Sequence, residues 1–159
     1  EKYKTVIDLI GTNIKEDRTS KKPLVPHLLR VGKYLHENNY SNDIVLAGLL
    51  HDLVEWTNNP ESLIRDQFGQ HVYDIVLANT KDRSITEPVK RREDYVSRCA
   101  KVGIGALIVK AADTLDSFEY YTEVGNAKEL ERSRNIAQLI LQYAKVGDDP
   151  IFSKLAEIV

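Results

Sequence analysis

Apolar side chains recur three and four positions apart through most of the 159-residue chain, the period of helices that bury one face. In KYKTVIDLIGTNI, Val6, Leu9, Ile10 and Ile14 share such a stripe. In KPLVPHLLRVGKYLHENNY, Leu24, Leu28, Val31 and Leu35 form another. Pro23 and Pro26 stand near its start, where a missing N–H is tolerated. SNDIVLAGLLHDLVEW opens on the cap-type residues Ser41, Asn42 and Asp43, then runs apolar from Ile44 to Leu50 with no polar face. Such a run is a central helix or a buried strand. Leu, Ala and Gly in place of β-branched residues favour the helix.

PESLIRDQFG predicts a short helix stopped by Gly69, and QHVYDIVLANT predicts the next. Residues 80–90, TKDRSITEPVK, read as a polar loop. RREDYVSRCAKVG and IGALIVKAADTLDSFEYY read as two further helices. NAKELERSRNIAQLILQYAKVG begins with Asn126 and Glu129 at capping-box spacing, and a short helix follows Pro150. Hardly any segment alternates with period two. The expected fold is all-α, a single domain over residues 1–159, built as a helical bundle of about eight to nine helices.

Composition narrows the function classes. Net charge is −2, so nothing draws the whole chain to nucleic acid or an anionic membrane. The lone cysteine, Cys99, excludes an internal disulfide and a Cys-rich zinc site and fits a reducing compartment. No run approaches the roughly 20 apolar residues of a membrane span. The start, EKYKTVIDLI, lacks the length and flanks of a secretory signal, so a cytoplasmic location is expected. The apolar helix faces serve equally as internal core or as contact in a homo-oligomer.

The candidate chemistry lies in LAGLLHDLVEWT, where the apolar run ends on His51 and Asp52, with Glu55 beyond. Singly, such residues have ordinary explanations. His27 near a helix start reads as a surface group, His51 is favoured by a helix C-terminus, and Asp52 reads as solvated. Asp113, in a mostly apolar helix, needs a partner, and Lys110 one turn earlier could supply it. Together, His27, His51, Asp52 and Asp113 form a mixed nitrogen and oxygen set suited to manganese, iron, zinc or nickel. Adjacent helical residues point about 100° apart. His51 and Asp52 can therefore act together only near a helix end or in a crevice.

VPHLLRVGKYL, AGLLHDLVEWT and LIVKAADTLDS carry these residues in order. The pattern His…His-Asp…Asp resembles the HD superfamily of metal-dependent phosphohydrolases, over residues 23–121. HDLVEWT, the short helix ending in Phe-Gly and IVKAADTLDS look most like the ppGpp-hydrolase branch, the RelA/SpoT type. Its members remove a 3′-pyrophosphate from guanosine tetraphosphate, usually with manganese. The resemblance implies an HD-type bundle holding one divalent ion on His27, His51, Asp52 and Asp113. Manganese comes first, with iron, nickel, zinc or magnesium as alternatives. It implies that Glu55 orients or deprotonates the attacking water. Its spacing from His51 and Asp52, four and three residues, keeps it on their helix face. Thr80 and Lys81 resemble a Thr-Lys pair near the nucleotide pocket.

The departures are specific. Trp56 stands where the branch has a second acid, and Ser117 where it has a pocket Asn. The loop EDRTSKKPLVP does not follow the branch's pattern. Arg18 in that loop is a candidate phosphate contact, while Lys21 and Lys22 are expected to be solvated, as is KRRED at 90–94. Tyr120 and Tyr121 are expected to pack, and His36 and His71 to lie on the surface. The implied function is hydrolysis of a nucleotide or related phosphorylated small molecule. The alternative is a catalytically impaired nucleotide-binding or regulatory module, which Trp56 favours.

Overall fold

Ile44 to Leu50 is helix, as its Leu, Ala and Gly content predicts, and the bundle is built around it. The computed structural model describes residues 2–14, 21–56 and 61–159, the Trp56 side chain excepted. Among the described residues the structure is all α, with no strand. The helices are α1 (Lys4–Asn13), α2 (Leu24–Glu37), α3 (Asn42–Leu50), α4 (Leu53–Trp56), α5 (Glu61–Phe68) and α6 (Gln70–Asn79). They continue as α7 (Pro88–Val102), α8 (Ile104–Val124), α9 (Ala127–Tyr143) and, after a 3-10 turn, α10 (Pro150–Ile158). Helix α3 touches α1, α2, α6 and α8. Leu28, Leu35, Leu50, Leu53 and Ile75 are fully buried around it, each worth about 1.5–3 kcal/mol relative to exposure. No helix among the described residues is long and apolar enough to cross a membrane.

The packing of α2 on α3 depends on two glycines. A Cβ on Gly48 would overlap Leu35 Cδ1, and one on Gly32 would stand 2.5 Å from Leu49 Cγ. Each helix lets a leucine of the other settle against bare backbone. This close approach brings His27 on α2 alongside the end of α3.

Three local outcomes differ from the sequence pattern. The expected helix 41–56 is interrupted: α3 stops at Leu50, His51 and Asp52 form a turn, and α4 restarts at Leu53. The His51 ring contributes to the stop, since its Nδ1 donates to Gly48 O at 2.7 Å and satisfies a carbonyl of the last turn. The polar loop is shorter than 80–90, because α7 starts at Pro88. The Glu87 carboxylate accepts from the N–H groups of Val89 and Lys90, both at 2.8 Å. Only half of the capping box at α9 forms. Asn126 Oδ1 accepts from Glu129 N at 3.2 Å. The Asn126 N–H is already bonded to Tyr121 O at 3.0 Å, where left-handed Gly125 ends α8 in a Schellman-type closure. Glu129 is thereby left for other partners.

Candidate metal centre and adjoining cavity

His27, in the first turn of α2, and His51, in the break after α3, are fully buried. Their rings meet edge to face, centroids 5.3 Å apart. Each ring is fixed through Nδ1, to Asp116 Oδ2 at 2.6 Å for His27 and to Gly48 O at 2.7 Å for His51. Each Nε2 is buried without a hydrogen-bond partner. Both approach one atom, Asp113 Oδ1, at 3.0 Å from His27 and 3.5 Å from His51. Asp52 Oδ2 lies 3.4 Å from His51 Nε2 and 3.8 Å from His27 Nε2. One donor atom from each of His27, His51 and Asp113 falls within a 4.8 Å cluster, with Asp52 at its edge. Buried imidazoles usually satisfy both nitrogens. Two open nitrogens turned on one carboxylate fit a cation, and the donors suit a first-row divalent ion.

The charges agree. Burial alone would lower the His51 pKa, but Asp52 and Asp113 outweigh it and raise it to about 9. Burial opposes ionisation of Asp113, yet Lys110, then His51 and Lys22, hold it well below the usual carboxylate range. Asp52 is also held low, its burial overcome mainly by His51. The cluster thus demands positive charge, which a proton or a divalent ion satisfies. Lys110 Nζ donates to Asp113 Oδ2 at 3.0 Å and sits 4.5 Å above the Tyr95 ring. Lys110 therefore does partner Asp113, but through the oxygen that faces away from the imidazoles.

Beside the cluster opens a cavity of about 320 Å³, at the small end of the range for small-molecule sites. Glu55 of α4 lines it with a nearly buried side chain, its Oε1 at 3.1 Å from Arg83 Nη2 and 3.6 Å from Lys81 Nζ. Burial lowers the Lys81 pKa. The loop carrying both cations is tied to α7: Arg98 donates to Leu77 O and Thr80 O at 2.8 and 2.6 Å. Arg91 donates to Ile85 O at 2.7 Å. The opposite wall comes from α9. Glu129, almost fully buried, accepts from Lys21 Nζ at 2.5 Å and from Arg132 at 3.3 Å.

Of the residues expected at the site, His27, His51, Asp52 and Asp113 come together, and Glu55, Lys81 and Ser117 line the cavity. Thr80 differs, since its hydroxyl turns back to Val76 O at 2.9 Å and closes α6. Lys22 also differs: its side chain is only 15 % exposed, and its ammonium bonds Ser117 Oγ and lies 3.7 Å from Asp113 Oδ1. Its pair is therefore no solvated patch, although Lys21 keeps 54 % of its side chain exposed. Arg91 of KRRED likewise faces the cavity, as does Tyr121. His36 and His71 are exposed as expected. Arg18 and the Trp56 side chain lie outside the described residues. Pattern reading missed the α9 wall, Arg83 and Asp116. Asp116, three residues after Asp113, carried the one available signal.

A family model described as HD domain matches residues 8–147. A probable guanosine-3′,5′-bis(diphosphate) 3′-pyrophosphohydrolase of Mycoplasma pneumoniae is 27% identical over 155 residues, 90% of this chain and 21% of that protein. The guanosine-3′,5′-bis(diphosphate) 3′-pyrophosphohydrolase MESH1 of Xenopus tropicalis is 36% identical over 99 residues, 60% of this chain and 54% of that protein. The chain thus spans about a fifth to a half of the length of these relatives. Among solved structures, a metazoan ortholog of SpoT that hydrolyzes ppGpp superposes with a TM-score of 0.74 at 23% identity. That match covers 99% of this chain and 93% of the other. The lmo0812 protein of Listeria monocytogenes superposes with a TM-score of 0.71 at 22% identity, covering 87% and 94%. These superpositions show a shared fold.

Proposed function

Because the chain belongs to the HD domain family, whose model spans residues 8–147, we propose that it is a metal-dependent phosphohydrolase acting on a nucleotide or related phosphorylated small molecule. The relatives named as guanosine-3′,5′-bis(diphosphate) 3′-pyrophosphohydrolases make ppGpp the reference substrate. One observation carries the reading: two buried Nε2 atoms without partners converge on Asp113 at the floor of a cation-lined cavity.

In this reading His27, His51 and Asp113 hold the ion, and Asp52 completes the set. Manganese is the first candidate, followed by iron, nickel, zinc and magnesium. When bound, the ion supplies Lewis-acid charge at the phosphoryl group. Glu55 receives the proton of the attacking water, a role worth about 10²–10⁴-fold in rate. Lys81 and Arg83 hold its carboxylate in place. Lys22 and Arg132 offer charge to substrate phosphates from the α8 and α9 sides. A reducing, cytoplasmic setting suits the buried Cys99 thiol, which burial pushes up to about 11.

The test is a hydrolysis screen over nucleotides that includes ppGpp, with each divalent metal added in turn and both phosphate and pyrophosphate detected. Metal-dependent release that disappears in His51→Ala is the expected result. Release from no nucleotide with any metal overturns the enzyme reading. Trp56, standing where the resembling branch has an acid, favours the second reading, a nucleotide-binding module without turnover. Saturable nucleotide binding without any release would establish it.

A further inference from the structure

His27 has a carboxylate at each end of its ring. Asp113 and Asp116 stand three residues apart on α8, about 4.5 Å along the helix axis. The first places Oδ1 3.0 Å from Nε2, and the second places Oδ2 2.6 Å from Nδ1. The facing helix repeats the spacing, since Arg30 follows His27 by three residues on α2. Arg30 closes a two-point contact on Asp116, Nε to Oδ1 at 2.8 Å and Nη2 to Oδ2 at 2.9 Å. A guanidinium only donates, so Asp116 answers it as a carboxylate acceptor. The short contact to His27 therefore has the proton on Nδ1, so Nε2 is the ring nitrogen that can offer a lone pair to an ion beside Asp113. His51 has only the neutral carbonyl of Gly48 behind it.

We propose that Asp116, clamped by Arg30, is a positioning residue that fixes the His27 ring with its proton on Nδ1 and thereby sets how tightly the centre retains a divalent ion. The pairing belongs to the fold itself, because it joins α2 to α8 on the side of the ring away from the cavity. It rests on the metal-centre reading for its effect on ion binding and on geometry alone for its effect on the ring. Removing a carboxylate behind a ligating imidazole costs about 10–100-fold in metal affinity.

The experiment compares wild type, Asp116→Asn, Arg30→Met and the double variant. Manganese affinity is measured by chelator competition, and the visible spectrum of the cobalt-loaded proteins is recorded. Nitrogen-resolved NMR of the histidine rings is recorded on the metal-free proteins, with melting curves to confirm folding. Expected are a Kd about 10–100-fold weaker in Asp116→Asn, an altered cobalt spectrum, and a smaller effect of Arg30→Met that vanishes in the Asp116→Asn background. A downfield Nδ1–H proton of His27 is expected in wild type and lost in Asp116→Asn. Manganese affinity within threefold of wild type in Asp116→Asn overturns the proposal. So does an unchanged His27 Nδ1–H signal. If wild type itself takes up no metal, the metal-centre reading falls, and the NMR comparison still decides whether Asp116 orients the ring.

Discussion

Arg83 reaches from the loop between α6 and α7 to place Nη2 3.1 Å from Glu55 Oε1. The pairing joins an exposed guanidinium to a side chain only 4 % exposed. Lys81, at 3.6 Å from the same oxygen, doubles the positive charge on it. An acid in the four-residue helix α4 would have few constraints of its own. The loop supplies them, and Arg98 fixes the loop by bonding the carbonyls of Leu77 and Thr80.

Glu55→Gln should keep the metal and lose most hydrolysis. The amide preserves shape and hydrogen-bonding reach but cannot take the proton. The expected loss in kcat is about 10²–10⁴-fold, with unchanged manganese content. Steady-state rates on the best nucleotide of the screen, paired with metal analysis, provide the check. Activity within threefold of wild type would exclude Glu55 from proton transfer.

His51→Ala should strip the centre. It removes one of the buried nitrogens that face Asp113, and alanine supplies no side-chain donor in its place. Wild type purified with added manganese should carry about one ion per chain, and the variant little. Elemental analysis of the two proteins decides it. Equal and low metal in both would mean that the four side chains are no metal centre.

Gly48→Ala should weaken fold and site together. The new methyl would overlap Leu35 Cδ1 in a closely packed contact and stand 3.3 Å from Val31 Cγ1. Overpacking of this kind costs about 1–3 kcal/mol. The Gly48 carbonyl also holds His51 Nδ1, so a shift of the turn moves a proposed ligand. Denaturant unfolding should show the loss of stability, and manganese competition a weaker Kd. An unchanged midpoint would show that Leu35 yields at no cost.

The cluster of His27, His51, Asp52 and Asp113 was legible as a group because its setting was. His51 and Asp52 end an apolar run, and Asp113 interrupts another, so their chemistry stands out against hydrophobic neighbours. The all-α fold was legible for the same reason, since the stripes of α1, α2 and α8 repeat at helical spacing. What stayed hidden joins distant parts of the chain. Lys21 meets Glu129 across 108 positions, and Lys22 meets Ser117 across 95. A periodic pattern carries no sign of such pairings, so both lysines read as solvent-facing. Asp116 was hidden differently. It stands on the same helix as Asp113, but its partners His27 and Arg30 lie on α2. The start of α7 was missed because Glu87 is not among the favoured cap residues, although Pro88 after it marks a first helical position.

A last hypothesis concerns Trp56 and the choice of nucleotide. This residue follows Glu55 directly and closes α4, at the position where the resembling branch carries an acid. Its indole is a donor only, so it cannot replace a second carboxylate beside the metal. An indole turned toward the pocket would suit stacking on a nucleobase, worth roughly 1–3 kcal/mol, and would narrow the room for the phosphates of ppGpp, whereas one packed under Asn58-Asn59-Pro60 would do neither. The hypothesis is that this protein prefers a nucleotide with fewer phosphates and cleaves ppGpp slowly. Trp56→Asp restores the acid and removes the stacking surface. Since about 1.4 kcal/mol is tenfold in rate, the ratio of ppGpp turnover to nucleoside diphosphate turnover should rise about tenfold or more in the variant. Initial rates on ppGpp and on nucleoside mono- and diphosphates, for both proteins at fixed manganese, measure that ratio. Efficient cleavage of ppGpp by wild type, with no gain in Trp56→Asp, would sink the hypothesis. The chain would then act as a ppGpp hydrolase that works without the second acid.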